Sequence, residues 1–191
     1  MFKETDFLST FRRDPQHLAF WAARYKHVSR LLAGEKRVIE VGCGTGFMGA
    51  MVAQTVGLLV QTDINPPKGS AIEQWNPAER PYRKGKFTAA YALDVLEHIA
   101  PRDEDEFIEN ICASLTEHST LVIGMPSLES QAYARPESRE AHVNCKTEGG
   151  LRETMQRHFV KVFLFTMADE SLGTAFAALA HYRLALCAIP R

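Results

Sequence analysis

The chain has 191 residues, of which 46% are hydrophobic and 24% are charged, and its formal net charge is −1. This length favours a single domain, residues 1–191, and the charge gives no overall attraction to nucleic acid or to an anionic membrane. No apolar run approaches the roughly 20 residues of a membrane span, and Lys3, Glu4 and Asp6 do not fit a secretory signal. The cysteines are scattered without a C-x-x-C pair, which argues against disulfides and zinc and predicts a cytoplasmic protein.

A helix is the first predicted element. Apolar side chains between residues 16 and 33 recur at helical spacing, and Gly34 stands where a helix C-cap is expected. The apolar stripe consists of Leu18, Trp21, Tyr25, Val28 and Leu32. Arg24 lies beside this stripe.

A short strand follows and opens into a glycine turn. Residues 38–41 are apolar apart from Glu40, and Gly42, Gly44 and Gly46 then alternate with Cys43 and Thr45. Glycine permits positive φ angles and lets a ligand lie against bare backbone. Residues 47–53 are predicted to form a helix after the turn. Strand, glycine turn and helix together form the nucleotide-binding corner of a doubly wound sheet.

The second strand, residues 58–63, ends in a carboxylate. Asp63 lies 23 positions after Glu40, the spacing at which an acidic side chain accepts the hydroxyl groups of a ribose. The 23 residues of segment 64–86 include four prolines and are too few for a helix, a third strand and their loops. Either the edge strand is lost or part of this segment is missing.

The remaining elements continue the alternation of strands and helices. Strands are predicted at 119–126, 159–165 and 181–187, and a further strand with its exit loop is predicted within residues 87–99. Helices are predicted at 107–115, after a capping box formed by Asp103 and Glu106, and at 151–158. The predicted fold class is α/β: a doubly wound Rossmann-like sheet with helices on both faces and a C-terminal antiparallel hairpin.

Three stretches in this order resemble the class I S-adenosylmethionine-dependent methyltransferases. They are the acidic-glycine run from Glu40 to Gly46, the strand that ends at Asp63, and the Asp-Val-Leu-Glu-His-Ile run that begins at Asp94. The resemblance covers about residues 16–187. It implies an enzyme that transfers a methyl group from S-adenosylmethionine to a small-molecule acceptor, with neither nucleic acid nor a membrane as partner. It leaves the acceptor, the oligomeric state and the pathway open.

The resemblance also implies which residues contact the cofactor. Glu40 and the glycine turn are expected at the methionyl end, Asp63 at the ribose, and Leu93, Asp94 and Val95 beside the adenine. The first helix often closes over the cofactor, so Arg24 is favoured as a further contact, whereas Trp21 and Tyr25 are equally explained by packing. The full set of expected cofactor contacts is Arg24, Glu40, Gly42, Cys43, Gly44, Gly46, Asp63, Ile64, Leu93, Asp94, Val95 and His98.

The acceptor is expected near the exits of the fourth and fifth strands. A hydroxyl or amine acceptor needs a base, and His98 and His142 are the catalytic candidates. Each has a simpler interpretation: His98 as a residue that stiffens the loop, and His142 as a loop residue without a role. The expected acceptor contacts are Ser127, Tyr133, His142 and Asn144. His142 and Cys145 have the spacing of a metal pair but lack further ligands, so no metal is predicted.

Two other classes of protein share parts of this pattern. An NAD-dependent oxidoreductase would have the same strand-turn-helix corner and Asp63, but counted from Gly42 its third glycine would fall at Phe47. A non-catalytic domain that binds the cofactor or a partner protein is the second alternative, because the 64–86 segment is short. Binding of the cofactor without turnover on any acceptor would favour the non-catalytic domain.

Overall fold

The computed structural model describes residues 12, 14–174 and 180–191. The charged N-terminal residues Lys3, Glu4 and Asp6 lie outside the described residues. Within the described part of the chain, no helix combines the length and the apolar composition needed to cross a membrane.

One sheet of eight strands organises the molecule. Its order is β3-β2-β1-β4-β5-β8-β6-β7, and the first five strands run parallel to one another. The last three strands pair antiparallel. The strands are β1 Val38–Val41, β2 Leu59–Asp63, β3 Glu73–Gln74, β4 Phe87–Leu93, β5 Leu115–Pro126, β6 Phe159–Ala168, β7 Ser171–Gly173 and β8 Tyr182–Pro190.

Five α-helices lie among these strands in the described residues. They are α1 Pro15–Leu31, α2 Ala50–Ala53, α3 Glu104–Cys112, α4 Pro136–Ala141 and α5 Glu148–His158. Short 3₁₀ turns occupy Leu96–His98, Pro101–Asp103 and Glu129–Tyr133. The longest helix begins at a side-chain cap, because the carboxylate of Asp14 accepts the backbone N–H of His17 at 3.1 Å.

Two apolar cores fill the two faces of the sheet. On one face Val28 of α1 and its C-cap residue Leu32 share a buried cluster with Tyr91 of β4. On the other face α3 contributes Phe107 and α5 contributes Met155. The doubly wound α/β class with an antiparallel C-terminal region is therefore confirmed, with β8 placed between β5 and β6.

The edge strand is retained, contrary to one of the two expectations for the short segment. Glu73 and Gln74 pair in parallel with Thr62 and Asp63, so β3 survives as two residues without a preceding helix. Trp75 directly after it is only 3% exposed, which anchors the segment in the core.

Two local predictions are wrong. Asp103 precedes α3 but makes no side-chain capping hydrogen bond, because Pro101–Asp103 forms a 3₁₀ turn that leads into the helix. The helix expected from Phe47 begins only at Ala50 and has four residues, because the turn continues through Gly49.

Candidate functional site

A cavity opens at the carboxyl ends of β1 and β4. The chain leaves β1 toward β2 and leaves β4 toward β5, so the two connections diverge at this point, as they do around ligands in open α/β sheets. The cavity has a volume of about 340 Å³. It is lined by Trp21, Tyr25, Gly42, Cys43, Gly44, Thr45, Phe47, Met48, Leu93, Asp94 and His98.

The glycine turn forms the floor of this cavity. Gly42, Gly44 and Gly46 all have positive φ angles, of 73°, 59° and 74°. A Cβ atom at Gly42 would lie 2.5 Å from Cγ2 of Val95, so this position excludes any side chain. A Cβ atom at Gly44 would meet no atom within 4 Å. The backbone at Gly44 is therefore open to a ligand.

Glu40 lies beneath the turn and fixes it. The residue is 1% exposed, and its carboxylate accepts the Tyr25 hydroxyl at 2.7 Å and the Gln61 amide at 2.8 Å. The same Gln61 amide donates to the carbonyl of Gly46 at 2.8 Å. Burial raises the pKa of Glu40, and the hydrogen bonds from Gln61 and Tyr25 oppose this rise. Glu40 thus supports the turn from below and is not among the cavity-lining residues.

Asp63 is placed beside the turn at the end of β2. One carboxylate oxygen accepts the backbone N–H of Gly44 at 2.9 Å, and the other accepts that of Asn65 at 2.8 Å. A carboxylate has about four acceptor positions, so each oxygen retains one for a ligand. The neighbouring Ile64 is 53% exposed.

An ion pair joins α1 to the loop after β4. One guanidinium nitrogen of Arg24 donates to both carboxylate oxygens of Asp94, at 2.9 and 2.7 Å, and the guanidinium lies 3.9 Å from the centre of the Tyr182 ring. Asp94 has a positive φ of 57°, which turns the chain at the cavity wall. Burial alone would lower the pKa of Arg24, but the Asp94 carboxylate outweighs burial and raises it.

Glu97 is a buried carboxyl group in the 3₁₀ turn after β4. It is 0% exposed, and neither carboxylate oxygen has a hydrogen-bond partner among the described residues. Burial, reinforced by the Asp94 carboxylate, raises the pKa of Glu97 to about 9. The sequence motif contains this glutamate, but nothing in the motif indicates that its side chain is enclosed.

The structure brings His98 and His142 together. Their ring centroids are 5.1 Å apart. Burial and the neighbouring His98 lower the pKa of His142. One ring nitrogen of each histidine and one carboxylate oxygen of Glu97 lie within 4.8 Å of one another. Among the described residues, Cys145 is not part of this group. His98 also lines the cavity, so the group lies at the cavity edge.

The other expected acceptor contacts are dispersed. Ser127 is 0% exposed and donates its hydroxyl to the carbonyl of Ala180 at 2.6 Å. Asn144 donates to Glu104 at 2.7 Å beneath the surface. Tyr133 is 92% exposed. None of these three lines the cavity, so their placement gives the predicted acceptor contacts no support.

Three of the lining residues, Thr45, Phe47 and Met48, and the supporting residue Gln61 were not predicted from the sequence. Thr45 lies inside the quoted glycine run, so proximity alone could have identified it. Nothing in the sequence distinguishes Gln61 as a supporting residue, because a polar residue within a strand usually lies on the face of the sheet that is exposed to solvent.

A family model described as a methyltransferase domain matches residues 11–158. This match spans more than half of the chain. The protein therefore belongs to the methyltransferase domain family and is an enzyme of that class. No curated protein sequence matches the chain.

Solved methyltransferase structures share the fold. The N-methyltransferase NodS from Bradyrhizobium japonicum WM9, in complex with S-adenosyl-L-homocysteine, has 16% identity and a TM-score of 0.64 over 89% of this chain and 86% of that chain. The small RNA methyltransferase HEN1 has 14% identity and a TM-score of 0.67 over 87% of this chain and 25% of that chain.

A third similar structure contains an acceptor. The Burkholderia thailandensis 1,6-didemethyltoxoflavin-N1-methyltransferase, with bound 1,6-didemethyltoxoflavin and S-adenosylhomocysteine, has 17% identity and a TM-score of 0.64 over 98% of this chain and 87% of that chain. At such identities the similarity shows the fold alone. The three proteins do not share one acceptor, so the acceptor of this chain does not follow from them.

Proposed function

We propose that this protein transfers a methyl group from S-adenosylmethionine to a small-molecule acceptor. The observation that carries the proposal is the open backbone at Gly44, beside the Asp63 carboxylate and at the floor of a cavity of about 340 Å³. Such a volume is in the range of small-molecule sites. The presence of S-adenosylhomocysteine in NodS and in the toxoflavin enzyme supports the same cofactor here.

The residues present fit this cofactor. Asp63 would accept the ribose hydroxyls through its remaining lone pairs, and the backbone at Gly44 would lie against the cofactor. Trp21 and Tyr25 of α1 would cover it, with Leu93 on the opposite wall. Glu40 would act from below by fixing the turn at the methionyl end.

The cofactor supplies a sulfonium methyl group with a good leaving group. When bound, it would donate this methyl group to a lone pair of the acceptor, and its sulfur would keep the electron pair of the broken carbon–sulfur bond. The protein therefore has to align the acceptor and exclude water. The acceptor's proton would be taken by His98 or His142. Because the pKa of His142 is lowered, this imidazole is neutral and able to accept a proton at pH 7.

The charges at the cavity favour a small acceptor over RNA. Among the described residues that line it there is neither lysine nor arginine, and Arg24 behind the wall is already paired with Asp94. Proteins that bind RNA neutralise phosphates with cationic side chains. A transfer assay with RNA beside a set of phenols, carboxylates and amines tests this part of the proposal, and methylation of RNA alone would contradict it.

The Gly44→Ala variant tests where the cofactor lies. Gly44 and Gly69 both have positive φ, of 59° and 78°, and a Cβ atom at either would meet nothing within 4 Å. Both alanine variants should therefore lose similar stability, about 1 kcal/mol. Only Gly44→Ala should weaken calorimetric binding of S-adenosylhomocysteine, by about tenfold or more. Equal affinity in the two variants would place the cofactor elsewhere.

Asp63→Ala tests the ribose contact. The loss of hydrogen bonds to a charged acceptor should weaken S-adenosylhomocysteine binding by about 2 kcal/mol, and Asp103→Ala in the 3₁₀ turn before α3 should leave it unchanged. Titration with NAD in parallel should give no heat. Binding of NAD without S-adenosylhomocysteine would favour the oxidoreductase class.

A further inference from the structure

We propose that Glu97, His98 and His142 hold a divalent transition-metal cation at the edge of the cavity. One potential ligand atom from each residue lies within 4.8 Å of those from the other two. The three residues come from two separate segments, the turn Leu96–His98 after β4 and the C-terminal end of α4. No metal was expected from the sequence, because His98 and His142 are 44 positions apart and this separation conceals their proximity.

The first observation is the state of the Glu97 carboxylate. It is fully buried, and both of its oxygens lack a hydrogen-bond partner among the described residues. The nearby Asp94 is neutralised by Arg24, so that guanidinium is already engaged. A buried carboxyl group without partners is costly, and a bound cation is one of the few partners that satisfy it. Neither histidine donates a hydrogen bond to the Glu97 carboxylate, so hydrogen bonding within the group does not satisfy this carboxylate.

The second observation is the tautomer of each histidine. Nδ1 of His98 lies 3.0 Å from the carbonyl oxygen of Ala141, and Nδ1 of His142 lies 3.0 Å from Oε1 of Gln131. Both oxygens only accept hydrogen bonds, so Nδ1 carries the proton in each ring. In the neutral imidazole Nε2 then has the free lone pair that a metal requires.

The orientation of Gln131 is itself fixed. Its amide nitrogen lies 3.3 Å from the carbonyl of Ser127 and 3.4 Å from the Ser130 hydroxyl, which directs Oε1 toward His142. Histidine ligands in metal sites commonly donate their other N–H to a carbonyl or carboxylate that sets the ring orientation. The arrangement around His98 and His142 has this form.

The donor set indicates the class of metal. Two imidazoles and one carboxylate suit zinc, manganese, iron or cobalt better than the all-oxygen sites that calcium and magnesium prefer. Bonds of about 2.1 Å place neighbouring ligands about 3.4 Å apart, so a contraction of the side chains by about 1 Å closes the site. Three protein ligands leave at least one coordination position open. Because His98 lines the cavity, a ligand in the cavity would be able to reach a metal held there.

At this position the cation would activate the acceptor, a role that rests on the proposed function. An acceptor hydroxyl bound at the open position would lose its proton to solvent more easily, leaving an oxygen lone pair aimed at the methyl group. The cation would then replace a free imidazole as the means of activating the acceptor.

Cobalt(II) titration of the untagged full-length protein, after treatment with a chelator and dialysis, tests the site. The visible absorption of cobalt bound to nitrogen and oxygen ligands reports binding directly and needs no acceptor. The wild type should bind one equivalent. His98→Ala, His142→Ala and Glu97→Gln should weaken binding about 100-fold or more, and Gln131→Ala about tenfold through the loss of ring orientation.

The exposed His118 of β5 provides the matched control, and His118→Ala should bind cobalt like the wild type. Circular dichroism of every variant establishes that it is folded. Cobalt binding in the wild type no tighter than in the folded His98→Ala and His142→Ala variants would overturn the proposal. Titration of the same samples with S-adenosylhomocysteine separates the two proposals: cofactor binding without cobalt binding removes only the metal site, and the reverse removes only the cofactor assignment.

Discussion

Two glutamates at the same edge of the sheet are equally buried and yet differ in every contact. Glu40 on β1 is 1% exposed and Glu97 after β4 is 0% exposed. The Glu40 carboxylate accepts hydrogen bonds from Tyr25 and Gln61. The Glu97 carboxylate has none among the described residues.

The contrast distinguishes a structural role from a ligand site. Glu40 has its partners within the protein and, through Gln61 and Gly46, holds the turn that forms the cavity floor. Glu97 is oriented by the backbone, because its carbonyl accepts the N–H of Asn144 at 3.0 Å, while its side chain remains unsatisfied. A buried polar group that the fold leaves unsatisfied is a better indicator of a ligand than one that the fold has satisfied.

A third buried carboxylate should give the largest effect on stability. Glu104 on α3 is 4% exposed and contacts Lys146 at 2.7 Å, Arg157 at 3.1 Å and Thr154 at 3.0 Å. Glu104→Gln should lower the free energy of unfolding by about 3 kcal/mol, because the Lys146 ammonium, whose side chain is 15% exposed, loses its carboxylate partner and keeps only the Asn144 amide oxygen. Urea denaturation measures this, with Glu106→Gln on the exposed face of the same helix as the control, which should change stability by less than about 0.5 kcal/mol.

The same residue predicts a pH dependence. Burial tends to raise the pKa of Glu104, but the hydrogen bonds from Lys146 and Asn144 outweigh burial, and the pKa lies below its ordinary value. Its contribution is therefore fully present above the unfolded-state pKa of about 4.3 and is lost as pH falls through the lower folded-state pKa. The difference in stability between wild type and Glu104→Gln should shrink below about pH 4. A difference that grows with acidity would contradict this assignment.

Glu40→Gln should have the next largest effect. A glutamine offers one accepting oxygen in place of two, so either Tyr25 or Gln61 loses its acceptor and a buried donor is left unpaired. The free energy of unfolding should fall by about 2.5 kcal/mol, and cofactor affinity should fall with it because the turn loosens. Unchanged cofactor affinity would show that Glu40 does not support the glycine turn.

Tyr25→Phe should have a smaller effect because it removes a single donor. The ring still packs edge-on against Tyr91, with centroids 6.1 Å apart. The loss should be about 1.5 kcal/mol in urea denaturation. Since Tyr25 also lines the cavity, a separate calorimetric titration should detect a modest decrease in cofactor affinity. A loss as large as that of Glu40→Gln would show that the tyrosine, rather than the amide of Gln61, supports the turn.

Glu97→Gln should have the smallest effect on the metal-free protein. No hydrogen bond of the Glu97 side chain is lost among the described residues, so stability measured in the presence of a chelator should change by less than about 0.5 kcal/mol. A loss comparable with that of Glu40→Gln would mean that Glu97 has a structural partner, and the comparison between the two residues would fail.

The proposed cofactor side of the fold was predictable because its signals are local. The glycine turn, Asp63 and the apolar strands each follow from a few neighbouring residues, and the sheet carries them to the expected edge. The two-residue β3 was not predictable, because its pairing depends on β2 and on the burial of Trp75 rather than on strand propensity.

The proposed acceptor side depends on contacts between distant positions. Arg24 and Asp94 are 70 positions apart, and the segment of His142 is held beside His98 by the backbone bond from Asn144 to Glu97 and by the contact of the His98 ring with the Ala141 carbonyl. The polarity of the loop after β5 suggested Ser127 as an acceptor contact, yet its hydroxyl is directed into the protein. Composition cannot distinguish a polar side chain that faces a cavity from one that holds a loop.

Calorimetric titration of the folded, full-length protein with S-adenosylhomocysteine tests the central claim most directly. Saturable one-to-one binding in the micromolar range, weakened by Gly44→Ala and not by Gly69→Ala, is the predicted result. A protein that is folded by circular dichroism and gives no heat with S-adenosylhomocysteine would contradict the proposed cofactor site.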